Sequence, residues 1–184
     1  DDGLNFKRHS VAPLMSRSEH DPCLVTSPTI HRVSDEKSIM YYTSGIRWSR
    51  GMNGKFQSFY HIKIAQSKNP FDWERAGTVA VDFNHGENNV ARPSVIQCDD
   101  GKYAMWFSYV HSEIGKYRMG YAESRDAYSW TRRDDLAGID IGDDLATDMI
   151  CYPCVFRLKG EVFMLYNGDN FGAKGFGVAK LDSN

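Results

Sequence analysis

Three carboxylates and an arginine stand close to the starts of predicted strands, where side chains of successive sheets can meet. Asp21, Glu87 and Asp148 each come a few residues before a proline-containing strand, and Arg92 directly precedes Pro93. A carboxylate can act as a general acid or base. A guanidinium can clamp hydroxyl groups or a carboxylate through paired hydrogen bonds. Whether these groups act together depends on the elements that carry them.

Residues 90–130 read as four short strands joined by turns. Each run is rich in aromatic or β-branched residues and is bounded by Gly, Asp or Ser, as is typical of strands. Asp100 and Gly101, between the first two runs, form a strong hairpin signal. The segment therefore predicts a four-stranded antiparallel meander.

The landmarks of this meander recur in the same order along the chain. They are a proline in the first strand, a methionine in the second, an alanine that ends the third, and a tryptophan in the fourth. The recurring residues are Pro28, Pro93 and Pro153; Met40, Met105 and Met164; Ala65, Ala122 and Ala179; and Trp73 and Trp130. Four-stranded repeats of this kind are typical of β-propeller blades. We therefore expect an all-β fold built of four-stranded antiparallel blades.

The repeat register predicts where each blade lies within one propeller domain that spans residues 1–184. Residues 1–10 match the turn into a fourth strand and predict the outer strand of a preceding blade. Residues 21–82 and 90–133 predict two complete blades, and residues 149–181 predict three strands of a last blade. Propellers typically have four to eight blades. We therefore expect the remaining blades of a longer protein, or a partner chain, to cover the open faces of the roughly three blades present.

Composition excludes several kinds of partner and cofactor. The chain carries a net charge of −2 with both signs interspersed and no basic block, so nucleic acid is not expected as a partner. No apolar run is long enough to span a membrane. Cys151 and Cys154 form a C-x-x-C pair, but residues three apart in a strand point to opposite faces. We predict buried or half-buried free thiols, no metal site and no cofactor. Free thiols favour a reducing compartment such as the cytoplasm.

Several motifs of the second predicted blade resemble those of the five-bladed β-propeller glycosidases. The resemblance rests on Ala-Arg-Pro-Ser-Val-Ile, Asp-Gly-Lys-Tyr-Ala-Met-Trp-Phe-Ser and Tyr-Arg-Met-Gly-Tyr-Ala-Glu-Ser-Arg-Asp within residues 91–126, followed by Ser129-Trp130. That superfamily includes the β-fructosidases, the arabinanases and glycoside hydrolase family 43. The resemblance covers nearly all of the chain as C-terminal blades and implies five blades in the full protein. It also implies a glycoside hydrolase-like protein that acts on a glycan or oligosaccharide at the mouth of the propeller channel.

In that superfamily two carboxylates from inner strands share the chemistry, because protonating the leaving oxygen and attacking the anomeric carbon occur on opposite faces of the ring. The family's base usually comes from the first blade, which we expect to lie outside this chain. Many members place a Glu two residues before the inner-strand proline, and here Thr26, Ala91 and Cys151 occupy that position. The resemblance leaves Asp148 and Glu87 as the catalytic candidates.

The predicted substrate-binding residues lie near the channel or on a long hairpin loop, residues 45–59, which is interpreted either as a functional loop or as a mobile surface loop. They are Arg92, Ser27, Tyr152, Trp48 and Asp21. Arg92 has the alternative of a salt bridge to Glu87 or Asp148. The connector of residues 134–148, rich in aspartate, is interpreted as a solvated acidic loop rather than a calcium loop. Because the expected strand Glu is missing, a non-catalytic carbohydrate-binding propeller, or an accessory domain of a larger glycan-processing protein, is the alternative function.

Overall fold

The computed structural model describes residues 5–51 and 54–182, and within them the chain forms antiparallel strands in three groups. The first blade comprises β1 (Leu24–Ser34), β2 (Lys37–Arg50), β3 (Phe56–Ser67) and β4 (Val79–Val81); the second comprises β5 (Glu87–Gln97), β6 (Tyr103–His111), β7 (Tyr117–Ser124) and β8 (Trp130–Arg132); the third comprises β9 (Cys151–Leu158), β10 (Glu161–Asn167) and β11 (Phe176–Lys180). Strands that are neighbours in sequence pair with each other in every blade. The predicted all-β fold of four-stranded antiparallel blades is confirmed.

Helical structure in the described residues is limited to two short turns. A 3₁₀ turn spans Asp134–Leu136, and α1 spans Asp169–Gly172 in the loop between β10 and β11. No helix in the described ranges is long and apolar enough to cross a membrane. A single parallel bridge between Tyr60 and Asn89 joins the sheets of the first and second blades.

The outer strand predicted over residues 1–10 is not found where the structure can test it. Residues 5–10 form no strand, and residues 1–4 lie outside the described residues. In this segment His9 stacks on Phe71, with ring centroids 3.9 Å apart. A fourth strand forms only beside a third strand of its own blade, and the described residues place no such strand next to this segment.

The blades stack face to face because β6 alternates its side chains between two neighbours. Met105 and Phe107 pack towards the first blade, against Tyr41 and Ile62. Trp106 points the other way and packs in the core that includes Met164 and Tyr166 of the third blade. This period of two is the signature of a strand that is buried on both sides. Each of these large side chains contributes roughly 1.5–3 kcal/mol by its burial, so the second blade fixes the spacing of the other two.

The cysteines are free thiols, as predicted, but one of them is more accessible than expected. Cys151 is buried and Cys154 is exposed, so the two point to opposite faces of β9. The expectation of a buried or half-buried thiol is wrong for Cys154, because its side of β9 belongs to the face that does not pack on the second blade. Within the described residues, no group of three or more His, Cys, Asp or Glu side chains is arranged to hold a metal ion.

Candidate functional site

The inner strands of all three blades share one backbone irregularity. Ser27, Arg92 and Tyr152 each directly precede a proline, and each has a left-handed φ, of 52°, 57° and 59°. Each also lies in a β-bulge, where the pairing register with the second strand shifts by one residue. The residue before a proline normally adopts an extended conformation. A left-handed non-glycine residue costs about 1–3 kcal/mol and persists only where its surroundings hold it.

Hydrogen bonds between blades hold two of these residues in place. The backbone N–H of Arg92 donates to Thr43 Oγ1 of β2 at 3.3 Å. The backbone N–H of Tyr152 donates to Ser108 Oγ of β6 at 2.7 Å. Thr43 and Ser108 stand at equivalent places in their blades, three residues after the landmark methionine. A hydroxyl of one blade therefore fixes the strained residue of the next, and the same device repeats around the stack.

Arg92 and Tyr152 meet as neighbours across the interface of the second and third blades. The guanidinium carbon of Arg92 lies 4.7 Å from the centroid of the Tyr152 ring, within the range of a cation–π interaction. Among the described residues, no carboxylate forms an ion pair with Arg92, and its side chain is exposed. Its hydrogen-bond donors are therefore available to a ligand, while the aromatic ring supports the flat face of the guanidinium.

Three further aromatic residues surround this pair. Tyr117 lies 5.5 Å from Tyr152 between ring centroids, and its hydroxyl is 2.5 Å from that of Tyr60. Phe171 stacks on Tyr152 at 5.8 Å and remains 56% exposed. We call Arg92, Tyr152, Tyr117, Tyr60 and Phe171 the inner-strand cluster. It offers one cation, three phenol hydroxyls and an accessible aromatic surface within a small area.

The phenols of the cluster stay protonated at neutral pH. Burial raises the pKa of Tyr60 and Tyr117 and is the largest cause at each. At Tyr152, burial followed by the neighbouring Tyr117 raises the pKa to about 12, although Arg92 acts in the opposite direction. These groups can donate and accept hydrogen bonds, but they are not phenolate nucleophiles.

A carboxylate outside the cluster secures the loop that carries Phe171. Asp169 accepts hydrogen bonds from the backbone N–H groups of Thr147, Asp148 and Met149, at 3.1, 2.8 and 2.8 Å. The Thr147 hydroxyl, followed by these backbone donors, lowers the pKa of Asp169 well below its usual range. The next residues, Asn170 and Phe171, are both left-handed, with φ of 50° and 60°. Asp169 thus ties the β10–β11 loop to the connector before β9 and sets the position of the Phe171 ring.

Glu87 makes its contacts away from the inner-strand cluster. Its carboxylate forms two hydrogen bonds with the Arg132 guanidinium, at 2.7 and 2.8 Å, and its side chain is only 5% exposed. Arg132 also binds Asp134, and it lies over the rings of Phe107 and Tyr109. Glu87 therefore forms its ion pair with Arg132 of the outer strand rather than with Arg92.

Asp148 is the more accessible of the two predicted catalytic carboxylates. It pairs with Lys116 at 2.8 Å, and both side chains are partly exposed. Its backbone is bound from two sides, since its N–H donates to Asp169 and its carbonyl accepts from Arg118 at 2.8 Å. The alternative of a salt bridge from Arg92 to Glu87 or Asp148 is not seen, because other cations of the second blade occupy both carboxylates.

Asp21 lies in a closed polar network rather than at an open surface. It is fully buried and accepts hydrogen bonds from Ser44 at 2.6 Å and from Arg75 at 2.9 Å, with Lys63 at 3.7 Å. Burial alone would raise the pKa of Asp21, but Ser44, Ser18 and Lys63 outweigh burial and lower it. Every neighbour stabilises the ionised form, so the carboxylate is already saturated by the protein.

Trp48 and Ser27 complete the predicted set. Trp48 is 55% exposed on the β2–β3 hairpin, which is a paired ribbon as far as Arg50 and Phe56 rather than a loose loop. Ser27 occupies the same bulge position in β1 as Arg92 does in β5, and its hydroxyl lies 3.4 Å from that of Thr26.

Sequence reasoning missed Tyr60, Tyr117 and Phe171. Tyr60 and Tyr117 stand at equivalent positions in the third strands of their blades, each before the landmark alanine at the same spacing, so their recurrence was a usable signal. Phe171 gave no such signal, because its place depends on the left-handed backbone of the β10–β11 loop.

Comparison with known proteins finds relatives in sequence and, separately, solved structures of similar fold. No family model matches the chain. It is 36% identical over 184 residues to an uncharacterised protein of Mycobacterium tuberculosis, which covers 98% of this chain but only 58% of that protein. It is also 32% identical over 78 residues to a 1,2-β-oligomannan phosphorylase of a Thermoanaerobacter species, covering 42% of this chain and 24% of that enzyme. The chain thus spans about 58% of the length of the curated relatives that it matches throughout.

Three solved structures show the same architecture. A family 117 glycoside hydrolase from the marine bacterium Zobellia galactanivorans matches with a TM-score of 0.71 at 17% identity, over 92% of this chain and 56% of that one. A sucrose-6-phosphate hydrolase from Lactobacillus gasseri matches with a TM-score of 0.66 at 16% identity, over 96% and 39%. A family 43 β-xylosidase/α-arabinofuranosidase from a compost metagenome matches at 0.57 and 20% identity, over 85% and 45%. At these identities the likeness shows the fold, and assignment to family 43 stays a prediction.

Proposed function

We propose that this protein is a glycosidase-like, carbohydrate-active protein that binds a glycan or oligosaccharide at the inner-strand cluster. The observation that carries the proposal is the convergence of Arg92 and Tyr152, two strained residues at equivalent positions, into an open arginine–aromatic pair. A sugar ring presents apolar C–H faces and a rim of hydroxyl groups. Aromatic rings suit the faces, and guanidinium and phenol groups suit the hydroxyls. Strained residues held by neighbouring blades also fit a preorganised site.

For hydrolysis, we propose Asp148 as the carboxylate of this chain that takes part. It is accessible, and the same Asp169 carboxylate that positions Phe171 fixes its backbone. Its ion pair with Lys116 is partly exposed and therefore contributes little stability, so a substrate can displace it. Glu87 is the other catalytic candidate from the sequence, and its pairing with Arg132 favours a structural role over a catalytic one. A second catalytic carboxylate would come from the remaining blades, which we also propose cover the open face of the third blade.

Phosphorolysis is the second candidate function. The chain matches part of an enzyme described as a 1,2-β-oligomannan phosphorylase. Arg92 has no carboxylate partner among the described residues, and a guanidinium binds phosphate through the same paired hydrogen bonds that bind a carboxylate. In this reaction inorganic phosphate attacks the anomeric carbon in place of water, and the bond from that carbon to the glycosidic oxygen breaks. The products are a sugar 1-phosphate and the shortened glycan, whose leaving oxygen takes up a proton.

Carbohydrate binding without turnover is the alternative. None of the five residues of the inner-strand cluster carries a carboxylate, and general acid catalysis of glycoside cleavage needs one. A protein of this kind would serve as a binding or accessory domain of a larger glycan-processing assembly.

One experiment separates these functions. The full-length protein is incubated with 1,2-β-oligomannan, xylooligosaccharides and fructooligosaccharides, with and without inorganic phosphate, and products and binding are measured by chromatography and calorimetry. Free sugar released without phosphate indicates hydrolysis, sugar 1-phosphate formed only with phosphate indicates phosphorolysis, and heat of binding without product indicates a binding module.

Arg92→Ala should abolish or strongly weaken whichever signal is seen. Arg32→Ala is the matched control. Arg32 lies in β1 towards the end that is remote from the bulge at Ser27, and it pairs with exposed Asp35. The proposal fails if no glycan binds, or if both variants behave alike.

A further inference from the structure

The β2–β3 hairpin is a rigid extension of the first blade. Its strands stay paired as far as the Arg50–Phe56 pair, with one register shift between Gly45 and Arg47. Beyond that pair, the Gly51 N–H donates to the Lys55 carbonyl at 2.9 Å, and Arg50 Nε donates to the Gly54 carbonyl at 3.3 Å. A side chain on this ribbon is therefore presented in a defined direction, unlike one on a loose loop.

One face of the hairpin is already occupied by the protein. The guanidinium carbon of Arg47 lies 4.1 Å from the centroid of the Phe59 ring, and Phe59 packs against Phe83 at 6.3 Å. Because Arg47 and Phe59 are directly opposite each other in register, they share this face. The contact with Phe83 anchors the hairpin to the segment that leads into β5.

The other face carries an open aromatic side chain on the same side of the ribbon as Tyr60 of the inner-strand cluster. Trp48 is directly opposite Ser58 in register, and Ser58 and Tyr60 are two residues apart, so all three lie on one side of the ribbon. Trp48 and Tyr60 are diagonal neighbours across the ribbon, and such neighbours lie roughly 7–8 Å apart in a regular antiparallel pair. Tyr60 in turn bonds to Tyr117 at 2.5 Å, and Tyr117 adjoins Tyr152. Aromatic side chains thus follow one another from Tyr152 of the third blade through Tyr117 and Tyr60 to Trp48 on the hairpin.

Resting on the proposed function, we infer that Trp48 forms an outer stacking subsite and that the ligand is an oligosaccharide longer than a disaccharide. Between Trp48 and the cluster lie side chains with hydroxyl and amide groups, among them Ser58 and Asn89, whose hydroxyl and side-chain amide lie 3.5 Å apart. A track of aromatic rings separated by uncharged polar groups fits a chain of neutral sugars. An apolar protein partner would leave those polar groups unpaired. Tyr117 and Tyr60 stand between Tyr152 and Trp48 in this series, so a ligand that contacts both ends passes several side chains.

The test measures dissociation constants as a function of ligand length. The full-length protein and its Trp48→Ala and Trp48→Phe variants are titrated with 1,2-β-oligomannan, xylo- and fructooligosaccharides of two to five units. Phe71→Ala is the matched control, since Phe71 is 48% exposed but follows β3 at the opposite end of the same blade. Acrylamide quenching of tryptophan emission gives a second readout, because Trp48 is 55% exposed, whereas Trp106 is buried and Trp73 and Trp130 are half-buried. The part of the quenching that is missing in Trp48→Ala reports on Trp48.

We expect affinity to rise from the disaccharide to the tetrasaccharide in the unmodified protein and to stay flat in Trp48→Ala. That variant should bind the tetrasaccharide roughly 3–10-fold more weakly and the disaccharide unchanged, as one aromatic stacking contact predicts. Trp48→Phe should lie between the two. The tetrasaccharide, but not the disaccharide, should protect part of the emission from quenching.

Two different results would overturn the inference, and they can be told apart. If Trp48→Ala weakens all lengths equally, or none, then Trp48 is not an outer subsite although the glycan site survives. If no oligosaccharide of any length binds the unmodified protein, the proposed function fails and the subsite falls with it.

Discussion

Where the connectors lead into the blades, buried charges are matched by opposite charges, and we call these the connector pairs. Further along the inner strand β5, Arg92 faces an aromatic ring instead. Asp21 is enclosed by Arg75 and Lys63, and Glu87 by Arg132, all with little exposure. Arg92 has Tyr152 beneath its guanidinium and solvent around its donors. The two regions lie only a few residues apart in sequence, since Glu87 and Arg92 both belong to β5.

The difference separates residues that hold the blades together from residues that can meet a ligand. A buried charge that lost its partner would be strongly unfavourable, so the connector pairs are committed to structure. An exposed cation over an aromatic ring has donors to spare, and leaving them to solvent costs little. We therefore expect substitutions in the connectors to change the free energy of unfolding, and substitutions in the cluster to change affinity.

The largest effect should come from Asp21. Replacing it with Ala leaves Arg75 and Lys63 buried without their carboxylate, which should lower the free energy of unfolding by about 3–5 kcal/mol. The midpoint of urea unfolding measures this change. Asp35→Ala is the control, since that carboxylate is 97% exposed in its pair with Arg32 and its loss should be nearly neutral. Equal midpoints for the two variants would remove the distinction drawn for the connector.

The lowered pKa of Asp21 also predicts how the stability of the protein changes with pH. Because the folded protein lowers the pKa of Asp21, the unfolded chain takes up a proton first as the pH falls. The stabilisation is therefore present above the unfolded pKa of about 3.9 and is lost as the pH falls through the lower folded value. The acid-induced loss of stability should be smaller in Asp21→Asn than in the unmodified protein.

Glu87→Ala should destabilise by about 3 kcal/mol, less than Asp21→Ala, because Arg132 keeps Asp134 as a second partner. Glycan affinity of the folded variant should be unchanged. Glu161→Ala, which removes a half-exposed pair with Lys180, is the matched control and should cost little. Full stability together with complete loss of turnover would instead assign Glu87 a catalytic part and break the comparison.

The sequence contained enough to predict the blades, their order and the recurrence of the pre-proline positions. Short strands with a period of two and turn residues at fixed offsets carry that information locally. The sequence did not show which charged side chains pair with each other. Glu87 pairs with Arg132, 45 residues further along, and nothing in their spacing distinguishes that arginine from Arg92. Which cation reaches a carboxylate is decided by how two strands of a blade lie in space, and that follows only from the folded structure.

Arg92→Ala should weaken glycan binding by about 1.5–2 kcal/mol, roughly 10–30-fold, since hydrogen bonds from a charged donor are the stronger kind. Stability should change by no more than about 0.5 kcal/mol, as for other exposed side chains. Arg92→Lys should recover only part of the affinity, because an ammonium group lacks the planar, paired donors. Titration calorimetry beside urea unfolding tests both halves. A large loss of stability with unchanged affinity would place Arg92 with the connector residues.

The smallest effect should come from the hydroxyl pair of Tyr60 and Tyr117. Tyr117→Phe removes one side of a 2.5 Å contact and keeps both rings, so affinity should fall by about 1 kcal/mol or less. Tyr60→Phe should give a similar loss, and the double variant should lose little more than either single one, because the two hydroxyls act through each other. Burial raises the pKa of both phenols, so both stay protonated between pH 6 and pH 9. The loss of affinity should therefore not vary over that range. Losses that simply add in the double variant would show that each hydroxyl contacts the glycan separately, and the cluster would then be a set of independent contacts rather than one connected surface.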